Sequence, residues 1–215
     1  MPDELPEKEV IILGTGSSAQ QCDFHCETWA VNGAFEFENV FKRLARPFRI
    51  DKLFITDDLW SVYGAMHFDI DQINQCLERN NAEAVLLKPI KLGKHEIRGV
   101  PYPWDYITKK FNTTFFTSTI GFMLAYGLDK GYNTFWLYGI DMASQMEYIL
   151  QKGGVEYWCG RIHQAGGKVI VAQGSTILVP PSVVPYGFQR ELNLEKIDPY
   201  NVLGYRKDSD AVLSS

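Results

Sequence analysis

The chain has 215 residues, of which 46% are hydrophobic and 13% aromatic, with a net charge of −5 and a pI near 5.4. That apolar content supports a sizeable buried core and excludes global disorder. The acidic balance argues against a surface that binds nucleic acid or membrane throughout, since such binding needs clustered Lys and Arg. Two local basic groups remain, Lys88, Lys91, Lys94, His95 and Arg98 in one and Lys42, Arg43, Arg46 and Arg49 in the other. The charged opening MPDELPEKEV lacks an apolar signal region, no apolar run reaches membrane-spanning length, and Cys22, Cys26, Cys76 and Cys159 form no disulfide framework. These features predict a soluble, cytoplasmic protein.

Residues 9–13 predict a buried strand, followed by the glycine-rich turn Gly14-Thr15-Gly16-Ser17-Ser18 and a helix over 18–26. With Ala19 at the sixth position the turn fits the loose G-x-G-x-x-A pattern. Backbone N–H groups at such a helix start suit an anion, and the alternative is a plain strand-to-helix turn. Residues 28–31 predict a second strand ending at Asn32-Gly33, where a dinucleotide enzyme would carry an acid for the ribose. Asn32 can instead recognise a base or ribose through its amide, or mark only a turn.

Residues 35–49 read as a loop or irregular helix, and 52–55 as a third strand with Thr56-Asp57-Asp58 at its end. Those aspartates suit either a helix cap or a ligand. A helix over 69–79 follows, with Ile70, Ile73 and Leu77 at helical spacing, then a fourth strand over 84–87. The stretch 88–110, with its prolines and Tyr102, Trp104 and Tyr106, reads as a long loop. It is either an Ω-loop packed by its own rings or a flap over a site, with Trp104 as a stacking surface.

Ser118 or Thr119 opens a strong helix to about residue 130, as an N-cap whose hydroxyl could equally hold phosphate. The apolar strand 135–138 then ends at Gly139-Ile140-Asp141, and a helix over 154–165 leads to a last parallel strand over 168–172. His163 on that helix reads as a surface residue before it reads as an acid or base. Cys22-x-x-His25-Cys26 has metal-ligand residue types but no second ligand pair, so no metal is firmly implied. From residue 179 the pattern dissolves into a polar extension that is either mobile or docks on a neighbouring subunit, a route to a homo-oligomer.

The order of VIILGTGSS, TWAVN, TSTIGFMLAYGLDKGY and TFWLYGID resembles the single-domain bacterial sialyltransferases that use a CMP-activated sugar. It is also similar to the wider group of Rossmann-like proteins related to archaeal hydroxymethylpterin diphosphokinase. The resemblance implies that Gly14, Thr15, Gly16, Ser17, Ser18, Asn32, Ser118, Thr119 and Gly139 line a nucleotide. Two departures stand out: only Tyr148 occupies the window where those enzymes place a tyrosine pair, and no histidine lies between Asp141 and the last helix. The segment MEYILQKGGVEYWCGRIHQAGG also resembles open reading frames of tailed phages.

The sequence therefore predicts an α/β fold, a three-layer Rossmann-like sandwich with a mostly parallel sheet, over residues 1–178, and an extension over 179–215. The expected function is a nucleotide-dependent transferase, glycosyltransferase-like, with a CMP- or UDP-type nucleotide sugar as donor and an acceptor the sequence does not name. Asp141 and Tyr148 are the candidate catalytic residues, and Asp57 joins the nucleotide-binding set. The alternatives are a non-catalytic nucleotide-binding protein and a Mg²⁺-dependent pyrophosphokinase using Asp57, Asp58 and Asp141.

Overall fold

A computed structural model describes residues 7–56, 69–142 and 146–178. Nine strands and five α-helices fall among these residues: β1 (Glu9–Leu13), β2 (Glu27–Val31), α1 (Phe37–Arg43), β3 (Lys52–Ile55), α2 (Ile70–Asn80), β4 (Glu83–Leu86), β5 (Ile90–Leu92), β6 (His95–Ile97), β7 (Gly99–Pro101), α3 (Trp104–Phe111), α4 (Thr119–Asp129), β8 (Thr134–Tyr138), α5 (Met146–Gln164) and β9 (Lys168–Val171). Seven strands form one sheet in the order β7-β4-β3-β2-β1-β8-β9, and every pairing in it is parallel. The predicted α/β architecture is thus observed.

β1 lies inside the sheet, between β2 and β8, because its residues suit burial on both faces. Val10, Ile11, Ile12 and Leu13 have no exposed surface, as a strand flanked by parallel neighbours and covered by helices requires. Strand order runs outward from β1 through β2, β3, β4 and β7 on one side, then returns to β8 and β9 on the other. With right-handed crossovers, this reversal puts the early and late helices on opposite faces. On the first face the Arg79 guanidinium of α2 pairs with Glu38 of α1. On the second face α4 is buried along most of its length, and it packs so closely on the sheet that a Cβ at Gly127 would meet Phe135 at 2.5 Å. Trp29, Phe54, Tyr126 and Tyr132 form a ring cluster between α4 and the sheet.

Several local expectations are corrected. The predicted helix over 18–26 is only a 3-10 turn, Ser17–Gln21. The chain then bends through Phe24 at φ +55°, and Arg46 donates to the carbonyls of Gln20 and Cys22, so those groups are tied to a neighbouring loop rather than to a further helical turn. Residues 35–49 agree with the irregular-helix reading: they hold the end of the 3-10 turn Asn32–Glu36 and then α1.

The supposed loop 88–110 contains three short strands and a helix: β5 and β6 form an antiparallel hairpin, and β7 extends the main sheet beside β4. Pro101 is tolerated there because β7 is an edge strand. Trp104 is not a free stacking surface, since its ring packs on Phe116 and Phe122. The basic group of this stretch is partly neutralised, with Lys91 near Glu96 and His95 bonded to Asp71. α5 begins eight residues earlier than predicted, at Met146 against residue 154. Among the described residues no helix is long and apolar enough to cross a membrane.

Candidate nucleotide cleft

The sheet order reverses between β1 and β8, and in open α/β sheets the crevice at the carboxyl ends of such a strand pair is where ligands bind. The two predicted glycine turns meet there. The Gly14 N–H donates to the Tyr138 carbonyl and the Gly16 N–H to the Gly139 carbonyl, each at 2.8 Å. Gly139 adopts φ +69°, and a Cβ on it would stand 2.5 Å from the Gly14 carbonyl oxygen. A Cβ on Gly14 would in turn lie 2.3 Å from the Gly139 oxygen. Both positions demand glycine for the close approach, and Gly139 demands it for its positive φ as well.

Asp141 seals this crossing. Its carboxylate accepts from the Ser18 N–H at 2.9 Å, the Ser18 hydroxyl at 2.6 Å and the Ser17 hydroxyl at 3.2 Å. The Ser18 oxygen also accepts from the Gly139 N–H at 2.9 Å, so one hydroxyl links both turns. A side chain at Gly16 would collide with the Asp141 carboxylate at 2.5 Å. Three of the N–H groups that the sequence offered to an anion, on Gly14, Gly16 and Ser18, are thus engaged inside the protein. Thr15 and Ser17 are exposed residues of the same turn.

The start of α4 forms the neighbouring wall. Ser118 is the N-cap by backbone conformation, φ −163° and ψ 162°, but its side chain makes no capping hydrogen bond. Its hydroxyl oxygen is buried and has no hydrogen-bond partner among the described residues. Thr119 bonds its hydroxyl to that of Thr56 at 2.8 Å, joining the end of β3 to the start of α4. Thr117 donates to the Gln151 carbonyl at 2.7 Å, and a Cβ at Gly154 would lie 2.1 Å from the Thr117 hydroxyl oxygen. The glycine of α5 therefore lets that helix press against the turn that carries Ser118.

Two further hydroxyls, unforeseen from the sequence, reach this end of the sheet after β9. Ser175 donates to the Ile140 carbonyl at 2.7 Å, and Thr176 has a buried hydroxyl with no partner among the described residues. The signal was a Gly-Ser-Thr run just past a strand end.

Gly14 to Ser18, Ser118, Thr119, Gly139 and Asp141 all lie at the carboxyl end of the sheet. Asn32 opens the 3-10 turn at the carboxyl end of β2, and Tyr148 falls in the first turn of α5. Their side chains lie outside the described structure, as do Asp57, Asp58 and the extension 179–215. His163 is remote, because α5 descends from this end and its last turn meets the start of β9 at the opposite edge. Burial pushes the Cys22 and Cys159 thiols up to about 12, which leaves them un-ionised and poor nucleophiles at neutral pH.

Neither protein-family profiles nor curated protein sequences yield a match to this chain. Among solved structures, it is similar to the sialyltransferase CstII from Campylobacter jejuni in complex with cytidine-5'-monophosphate. The TM-score is 0.51 at 15% identity, over 79% of this chain and 81% of that chain. The same enzyme in complex with CMP-3FNeuAc gives a TM-score of 0.50 at 15% identity, over 77% of this chain and 81% of that one. The chain shares the overall fold of that sialyltransferase, and its crossing glycine turns stand at the point where the parallel sheet reverses order.

Proposed function

We propose that the protein is a nucleotide-dependent transferase of the glycosyltransferase type, with a CMP-activated sugar as donor. The carrying observation is the Ser118 hydroxyl, buried without a partner among the described residues at the N-terminus of α4. An orphaned buried hydroxyl is uncommon and calls for a ligand or a water. A helix N-terminus favours an anion through its free N–H groups and dipole. A nucleotide phosphate satisfies both, and the likeness in fold to a CMP-bound enzyme supports cytidine as the base.

In this reading Ser118 and Thr119 bind phosphate, Gly14 to Ser18 and Gly139 form the wall behind it, and Asn32 and Asp57 meet the base or ribose. Tyr148, at the start of α5, steadies the leaving phosphate. Asp141 holds the two glycine turns together, a positioning role, because its carboxylate already accepts three hydrogen bonds. In the reaction the anomeric carbon to phosphate oxygen bond breaks, CMP leaves, and the acceptor oxygen bonds to that carbon as it loses its proton.

One observation favours a second reading, a protein that binds the nucleotide without turning it over. Among the described residues the cleft offers no histidine, and Asp141 is engaged structurally. Incubation with labelled CMP-sugars and UDP-sugars separates the two. Release of CMP, by transfer or slow hydrolysis, is the expected result. CMP binding without release selects the second reading, and turnover of ATP only with Mg²⁺ moves the assignment to the pyrophosphokinases.

A further inference from the structure

The amino-terminal end of the sheet, opposite the cleft, gathers ligand-type side chains that the proposed transferase does not use. Glu9 opens β1, and His25 and Cys26 stand just before β2, so parallel pairing of these strands brings the three together. One ligand atom from each lies within 4.8 Å of the other two. His25 Nε2 is 3.7 Å from Glu9 Oε2, and the other ring nitrogen, Nδ1, is 2.5 Å from the Asp23 carboxylate.

We infer that Glu9, His25 and Cys26 form a binding site for a single divalent transition-metal ion of the zinc class, with Asp23 orienting the imidazole. The donor set of one carboxylate oxygen, one imidazole nitrogen and one sulfur suits a borderline-soft ion and suits neither Mg²⁺ nor Ca²⁺. Metal-binding histidines characteristically donate their second ring N–H to a carboxylate, and Asp23 stands in that place. The cluster is held in position: the Trp136 indole donates to Glu9 Oε2 at 2.7 Å, and the His25 ring meets the Trp136 ring edge-on at 4.9 Å. Cys26 Sγ contacts the Glu27 carbonyl at 3.8 Å, a long and weak interaction for a metal to replace. His25 is exposed while Glu9 and Cys26 are half-buried, which gives an ion access and leaves a fourth position to water or another ligand. Cys22, the nearer ligand by sequence pattern, is fully buried and takes no part. Its place is filled by Glu9, sixteen positions before His25 and invisible to spacing.

The test titrates metal-free protein with Co²⁺ and follows the thiolate-to-cobalt charge-transfer absorption, then displaces cobalt with Zn²⁺. The expected result is saturation at one equivalent, loss of the band in Cys26→Ser, and an unchanged band in Cys22→Ser. His25→Ala weakens binding at least about tenfold and Asp23→Asn roughly 10- to 100-fold, as loss of an orienting carboxylate does. Absence of a saturable band in the wild-type protein, or a band that survives both Cys26→Ser and His25→Ala, overturns the assignment. The site is at the opposite end of the strands from the cleft, so its failure leaves the nucleotide reading intact, and the converse holds.

Discussion

Two serines at the ends of neighbouring elements have opposite tasks. The Ser18 hydroxyl joins Asp141 to the Gly139 N–H, whereas the Ser118 hydroxyl is buried without a described partner. Ser118→Ala should leave stability nearly unchanged, since it removes an unpaired hydroxyl, yet weaken CMP binding by roughly five- to tenfold, the value of one hydrogen bond of about 1–1.5 kcal/mol. Calorimetric titration of both proteins checks this. Asp141→Asn should behave differently. The amide sets an N–H₂ group against one of the three donors that the carboxylate now accepts, at a cost of about 1–3 kcal/mol. Urea denaturation should show that loss with or without nucleotide, whereas a catalytic role alone would leave the midpoint in place. The candidate residues were legible because Gly, Ser, Asn and Asp just after apolar runs mark strand ends. That Asp141 faces inward to Ser17 and Ser18 was not legible, because side-chain direction depends on how the two turns cross.

At the scale of elements, α5 carries glycines with contrasting surroundings. A Cβ on Gly160 would have nothing within 4 Å, while one on Gly154 would face the Thr117 hydroxyl at 2.1 Å. Gly160→Ala should stabilise the protein by about 0.5–1 kcal/mol through helix propensity alone. Gly154→Ala should destabilise it by about 1–3 kcal/mol by forcing α5 away from the turn before α4. Thermal melts of the two variants should therefore move in opposite directions. The stretch 88–110 departs furthest from the long loop its sequence predicts. Its strands are three residues long and carry prolines and glycines at their borders, too short for alternation to register. Pairing of β7 with β4 supplies the order that local sequence lacks. In contrast, the central strands were plain, since runs such as Val10 to Leu13 are buried on both faces and must be apolar throughout.

For the molecule as a whole, Asp129 closes the end of α4 remote from the cleft. Burial pushes its carboxyl upward, but hydrogen bonds and charge from Lys110 and Lys130 outweigh burial and hold it below the ordinary carboxylate range. A depressed folded-state value contributes stability above the unfolded-state value of about 3.9, and that contribution is lost as pH falls through the folded value. Asp129→Asn should therefore flatten the acid limb of the stability curve, measured by denaturation between neutral pH and about pH 3. The sheet order was legible only as an alternation of strands and helices. Which pair of strands flanks the reversal is a long-range matter, and it is that pair, β1 and β8, that makes the cleft.

Binding of a cytidine nucleotide in this cleft is measured by melting the protein with CMP, UMP, AMP, NAD and ATP-Mg²⁺ in parallel. CMP at roughly 100 times its dissociation constant should stabilise the fold by about 2.7 kcal/mol, and the other ligands should do less at the same concentration. No shift with any nucleotide would contradict cytidine binding and leave the resemblance to the sialyltransferases one of fold alone.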